Sequence, residues 1–200
     1  MSPQRPKSAA ARPWRRGTSA RQLRIIAGQW RGRHFRFPAG AIRPTPDRVR
    51  ETLFNWLMGR ISGVHCLDLF AGSGALGLEA LSRGAAAVQF VDNDPEAIHA
   101  LRELLEQWDA KGGAAELCTA ERYLARPARP FELVFMDPPF GSTALASAAS
   151  RLVAGGWVRP GGLIFVEHAR REPLPALPAS WHELKSGQAG EVGYHLFEHL

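Results

Sequence analysis

From Val64 onward the chain repeats one unit: a short apolar run, a loop, then a segment whose apolar residues recur with helical spacing. Val64–Phe70, Ala86–Val91, Ala114–Cys118, Phe131–Met136 and Gly162–Glu167 read as strands. Ala75–Ser82, Pro95–Trp108, Glu121–Ala125 and Ser142–Ala154 read as the helices between them. Strands joined through helices re-enter a sheet from the same end, so they run parallel. Phe131-Glu132-Leu133-Val134-Phe135-Met136 is apolar at nearly every position, as a strand covered on both faces requires. The expectation is an α/β fold with helices on both faces of a mostly parallel sheet. Trp181–Ser186 and Val192–Glu198, flanking Gly187–Gly190, break the pattern and read as an antiparallel pair at the sheet edge. There is no internal repeat.

Asp137-Pro138-Pro139-Phe140 closes the Phe131–Met136 run. Two prolines stop a strand and stiffen the backbone after it. They leave a rigid lip carrying a carboxylate, carbonyl groups and an aromatic ring at the carboxyl end of a strand, where open α/β sheets bind their ligands. Such a lip suits a planar amine. The Asp137 carboxylate and the Pro138 carbonyl accept its N–H bonds, Pro139 holds the turn, and Phe140 covers the ring. Methylation of the exocyclic amine of a nucleobase needs this arrangement. An ordinary strand-ending turn is the plain alternative, and the rest of the chain weighs against it.

Asp68-Leu69-Phe70-Ala71-Gly72-Ser73-Gly74-Ala75-Leu76-Gly77 follows the first of these strands and opens a helix. Gly72 and Gly74 let the backbone turn tightly and approach a ligand. Gly72, Gly74 and Gly77 also match the dinucleotide fingerprint, with Asp92 ending the next strand. S-adenosylmethionine fits better than a nicotinamide cofactor. A carboxylate at Asp68 receives an amino group and repels a pyrophosphate, and a dehydrogenase has no use for the Asp137 lip. Asp92 is placed for the ribose hydroxyls, with Asp94 as its substitute. Asp94-Pro95 also starts a helix, where an acid is favourable for its own reasons.

Charge divides the chain. The formal net charge is +6, yet residues 1–50 hold 13 of the 25 Lys and Arg and a single acid, Asp47. A basic first quarter on an acidic body is the footprint of a polyanion-binding arm. Residues 1–20, rich in Arg, Pro, Ala and Ser, read as a disordered tail. Residues 21–46 read as a hairpin and loop: Leu23–Gly28 and His34–Phe37 as strands, with Phe35 and Phe37 on one face and His34 and Arg36 on the other. Residues 47–200 form the catalytic domain. Thr45-Pro46-Asp47 reads as a helix start, with Thr45 as the N-cap and Val49, Leu53, Trp56 and Leu57 on one face of the helix that follows. No stretch approaches the roughly 18 apolar residues of a membrane span, and no apolar signal core follows the basic start. The location expected is the cytoplasm. Cys66 and Cys118 fall in strands without Cys-x-x-Cys spacing, and the seven histidines form no motif, so no metal is expected.

Four blocks carry a family resemblance: Arg24–Arg33 (RIIAGQWRGR), Arg43–Trp56 (RPTPDRVRETLFNW), Asp68–Ser82 (DLFAGSGALGLEALS) and Asp137–Phe140 (DPPF). In this order they resemble the RsmD family, bacterial 16S rRNA (guanine966-N2)-methyltransferases, over about residues 22–199. The resemblance implies a class I S-adenosylmethionine-dependent methyltransferase fold: a Rossmann-like, seven-stranded, mostly parallel sheet whose last strand is antiparallel, plus the small N-terminal β-hairpin. It implies that the hairpin grips RNA, with Arg24, Arg31, Arg33, Arg36, Arg43 and Arg48 as candidate phosphate contacts. By position, Asp137 and Pro138 bind the guanine amine and Phe140 stacks on the base. Asp68, Phe70, Gly72 and Gly74 line the methionine side of the cofactor, Asp92 its ribose, and Thr45 approaches the methionine end. One departure stands out: Thr119-Ala120, then Glu121, occupies the place where such enzymes carry Asp or Asn for the adenine. The partner implied is 16S rRNA, in the small ribosomal subunit or an assembly intermediate, with no obligate protein partner. Rival readings are a DNA amino-methyltransferase, for which 200 residues leave little room for a target-recognition domain, a nicotinamide-dependent dehydrogenase, and a non-catalytic RNA-binding assembly factor.

Overall fold

The structure is a computed structural model that describes residues 20–38 and 45–200. The expectations for the basic tail up to residue 19, and for Arg43, concern residues outside that set. An antiparallel hairpin comes first, β1 (Ala20–Arg24) with β2 (His34–Pro38). The body follows: α1 (Asp47–Trp56), β3 (His65–Asp68), α2 (Ala75–Ser82), β4 (Ala87–Asp92), α3 (Pro95–Gln107), β5 (Gly113–Leu117), α4 (Ala120–Leu124), β6 (Phe131–Met136), α5 (Ala144–Ala154), β7 (Val158–Ala169), β8 (Trp181–Ala189) and β9 (Val192–His199). The last seven strands form one sheet in the order β5-β4-β3-β6-β7-β9-β8, with β9 antiparallel to both of its neighbours.

Strand alternation sorts the core into two layers. Leu133 and Phe135 of β6 face one side with Leu163 and Phe165 of β7, under α1, α2 and α3. Val134, Met136, Ile164 and Val166 face the other, under α4 and α5. Burial on both faces explains why these strands read as continuous apolar runs.

Three local expectations change. The first strand ends at Arg24 rather than Gly28, because the Ile26 and Ala27 N–H groups leave the ladder and donate to Glu79 Oε2 and Oε1 at 2.8 and 3.0 Å. Pro46, not Thr45, is the N-cap of α1, and no side chain caps that helix. The segment expected to link β8 and β9 is mostly strand. Pairing runs as far as Ala189 opposite Val192, so only Gly190 and Glu191 turn, with Gly190 at φ +61°.

Phe35 and Phe37 are buried while His34 and Arg36 are exposed, so the hairpin docks by its aromatic face. Trp30 and Phe35 both meet the Trp108 ring just beyond α3, at centroid distances of 5.1 and 6.0 Å. Gly28, at φ +85°, is pressed so closely on Ser82 that an added Cβ would lie 1.9 Å from the Ser82 carbonyl oxygen. Among the described residues no helix is long and apolar enough to cross a membrane.

Candidate active site

β3 lies between β4 and β6, and the chain winds outward from it in opposite directions, first to β4 and β5 and later to β6 and β7. The crevice at the carboxyl ends of β3 and β6 is the switch point where such sheets hold ligands. A cavity of about 610 Å³ opens there. Its lining brings together Thr45, Asp68, Phe70, Gly72, Asp92, Asp137, Pro138, Pro139 and Phe140 from seven segments of the fold. Gly74 stands behind this wall. It starts α2 at φ +75°, and an added Cβ would meet Leu101 Cδ2 at 2.2 Å, so its demand is local geometry and packing.

Asp68 ends β3 and is buried, its Oδ2 accepting the Gly77 N–H at 3.0 Å. Burial pushes its carboxyl up to about 7. The Gly77 bond opposes that shift, and the Asp137 and Asp92 charges add to it. A buried acid facing a cavity with no cation in its own set of contacts calls for a positive ligand.

Asp92 ends β4. Its Oδ2 accepts the Gly72 N–H at 2.7 Å and its Oδ1 the Asp94 N–H at 2.8 Å. Each oxygen keeps a second lone pair, and the two bonds hold the carboxylate at the cavity wall. Asp94 instead caps α3 through the Glu96 N–H at 2.8 Å, the helix-start role that the sequence left open. Thr119 caps α4 through the Arg122 N–H at 3.3 Å, which accounts for a hydroxyl where an acid or amide was expected. Cys118, Thr119, Ala120 and Glu121 line this end of the cavity.

Beyond β6 the lip is braced twice. Ser142 Oγ donates to the Pro139 carbonyl at 2.6 Å, and the Gly141 N–H donates to Glu172 Oε2 at 3.2 Å. Pro138 is buried, whereas Phe140 is 39% exposed at the mouth. Thr45, freed from capping, turns its hydroxyl inward and lies 3.5 Å from Asp137 Oδ2.

Arg24, Arg31, Arg33, Arg36 and Arg48 are all exposed on the hairpin or the first turn of α1. Arg24 pairs with Asp47 at 3.1 Å, and Arg33 lies over the Trp108 ring at 5.6 Å. Sequence reasoning passed over three residues. Arg50 and Glu79 are wholly buried between the hairpin and the body, although by sequence they look like ordinary helix-surface charges. Glu167, at the end of the buried part of β7, is 1% exposed. Its signal was the one that Asp68 shares: an acid closing an apolar strand at the ligand-binding end of the sheet.

The family model described as Conserved hypothetical protein 95 matches residues 23–198. Ribosomal RNA small subunit methyltransferase D of Escherichia coli is 43% identical over 178 residues, covering 88% of this chain and 90% of that one. This chain belongs to the RsmD family. A second RsmD relative, from Haemophilus influenzae, is 41% identical over 182 residues and covers 88% and 94% of the two chains. Among solved structures, a putative methyltransferase, yhhF, from Escherichia coli superposes with a TM-score of 0.84 at 42% identity, over 89% of this chain and 98% of its own. The RsmD chain thus carries the class I methyltransferase fold with its N-terminal hairpin.

Proposed function

We propose that this RsmD-family chain transfers a methyl group from S-adenosylmethionine to the exocyclic N2 amine of a guanine in 16S rRNA. One observation carries the reading: a single cavity joins a buried, unneutralised acid, Asp68, to the rigid Asp137–Phe140 lip. The RNA target is supported by the relatives named as small-subunit rRNA methyltransferases and by the exposed arginines of the hairpin.

The residues present fit the cofactor. The cavity falls in the range of roughly 300–1,000 Å³ usual for small-molecule sites. Asp68 receives the ammonium of the methionine moiety, and Gly72, lacking a side chain, lets the moiety pass close to the backbone. Phe70 walls that side, and the Asp92 oxygens accept the ribose hydroxyls. The adenine end meets backbone groups near Thr119. S-adenosylmethionine, when bound, supplies an electrophilic methyl group on a sulfonium.

The chain's own contribution is orientation. The guanine N2 lone pair is delocalised into the ring, so the amine is a poor nucleophile. The Asp137 carboxylate and the Pro138 carbonyl accept its two N–H bonds and favour a more tetrahedral nitrogen, whose lone pair then points along the line of displacement. Both acceptors also stabilise the positive charge that develops on nitrogen. Pro138 and Pro139 keep the acceptors from relaxing, and Phe140 covers the base. The target base has to leave its stack to enter, at least cost where the RNA is unpaired. Arg24, Arg31, Arg33, Arg36, Arg43 and Arg48 hold phosphates around it.

The test is transfer of labelled methyl to unmodified small ribosomal subunits, bare small-subunit rRNA and duplex DNA, with Asp137→Ala alongside. Label on one guanine N2 of the rRNA, lost in the variant, is the expected result. Label on DNA, or on none of the acceptors despite saturable cofactor binding, would sink the assignment.

A further inference from the structure

Glu167 has no role in the reading above, yet it lies among the groups that do. β6 and β7 pair in parallel with Met136 opposite Val166, so the next residues along, Asp137 and Glu167, emerge side by side at the cavity end of the sheet. Thr45, arriving from the segment before α1, hydrogen-bonds Glu167 and stands 3.5 Å from Asp137 Oδ2.

A threonine hydroxyl has one proton to donate. It cannot satisfy two carboxylates at once, so a second proton has to sit in the cluster. Its position follows from burial. Glu167 is 1% exposed, and its Oε1 is buried with no hydrogen-bond partner. An unpartnered oxygen is costly on an ionised carboxylate and far less so as the carbonyl of a neutral acid. Burial pushes the Glu167 carboxyl well above the usual range. The Asp137 charge, and then that of Asp68, push the same way, against the Thr45 bond. The charged groups that bear on Glu167 are thus acids, from the ends of β6 and β3.

We propose that Glu167 is a positioning residue: as a neutral carboxylic acid it donates to Thr45 Oγ1, Thr45 donates to Asp137 Oδ2, and the relay fixes the plane of the Asp137 carboxylate toward the substrate amine. It rests on the assignment of Asp137 as the amine acceptor. Glu167 keeps its proton throughout turnover, and the proton lost from the substrate nitrogen leaves to solvent. The relay also gives Thr45 a reason to forgo capping α1.

Two measurements test this on the full chain. The first is the single-turnover methylation rate against pH, with saturating S-adenosylmethionine and unmodified small subunits. Glu167→Gln keeps a neutral donor, so its rate at pH 7 stays within about threefold of the parent and lacks the parent's fall at high pH. Glu167→Ala leaves Asp137 free to rotate, so the rate falls about tenfold or more while affinities for cofactor and RNA hold within about twofold. The second needs no RNA. The infrared difference spectrum between the parent and Glu167→Gln, both with S-adenosylmethionine, contains the carbonyl band of a protonated carboxyl. Equal losses in the two variants, an unchanged rate in Glu167→Ala, or absence of that band overturns the proposal. Should Glu167→Ala not fold, Glu167→Gln and the infrared band decide. A parent protein that methylates no acceptor yet shows the band overturns the proposed reaction and leaves the relay standing.

Discussion

Arg50 Nη1 faces Glu79 Oε2 at 3.6 Å, with both side chains wholly buried between α1 and α2. The pair is the joint between the hairpin and the body. Arg50 also donates twice to the Arg24 carbonyl at 3.0 Å and pairs with Asp47 at 2.6 Å. Glu79 takes the Ile26 and Ala27 N–H groups and Arg83 Nε at 2.7 Å. Glu79→Ala would strand a buried guanidinium and orphan two amides. The expected loss is about 3–5 kcal/mol in urea unfolding. Hydrogen exchange at Ile26 and Ala27 should rise with it, and an unchanged midpoint with slow exchange there would refute this joint.

Asp68 sets a pH dependence of stability. Its carboxyl ionises near 3.8 when unfolded and near 7 when folded. Between those values the native state holds a proton that the unfolded chain has released, so stability falls as pH rises and levels off above 7. The span corresponds to a change on the order of 4 kcal/mol. Asp68→Asn still accepts from Gly77 but cannot ionise. It should melt higher than the parent at pH 8, with the gap closing toward pH 4, and bind S-adenosylmethionine poorly. Parallel melting curves across that range would contradict the buried charge.

Phe140 contributes little to the core, being 39% exposed at the cavity mouth. Phe140→Ala should shift stability by no more than about 0.5 kcal/mol. Loss of base stacking, worth about 1–3 kcal/mol, should lower kcat/KM for RNA roughly 5- to 150-fold. Cofactor affinity measured by calorimetry should not move. A fall in cofactor affinity with RNA turnover intact would place the ring on the wrong ligand.

Arg31, Arg33 and Arg36 leave the docked face of the hairpin and stay exposed. Each one that meets a phosphate contributes about one released counterion to RNA binding. Substituting them singly by alanine should reduce the slope of log affinity against log salt by about 1 per true contact. A slope that stays the same in all three would move the RNA grip elsewhere.

Much of the fold was legible because its signals are local. Ala75–Ser82 and Phe131–Met136 have the bounds read from sequence, since a glycine turn opens the first and a proline pair closes the second. The lip and the Asp68 and Asp92 positions were legible because each ends a recognisable strand. The first strand was misjudged. Leu23–Gly28 has strand-like residues, yet a carboxylate from a helix 52 residues away captures the Ala27 amide and ends the ladder.

The sequence by itself determined the parallel sheet, the aromatic docking face of the hairpin, the glycine loop and the acidic lip. Those follow from periodicity and from backbone demands met by near neighbours. Only the tertiary structure decided that Thr45 abandons its helix for Asp137, that Arg50 and Glu79 are core rather than surface, and that Glu167 stands beside Asp137. Each depends on the pairing of segments far apart in the chain and on the loss of water around them. A charge has the same letter in a sequence whether it is solvated or buried. Its partners and its protonation appear only when packing sets what surrounds it.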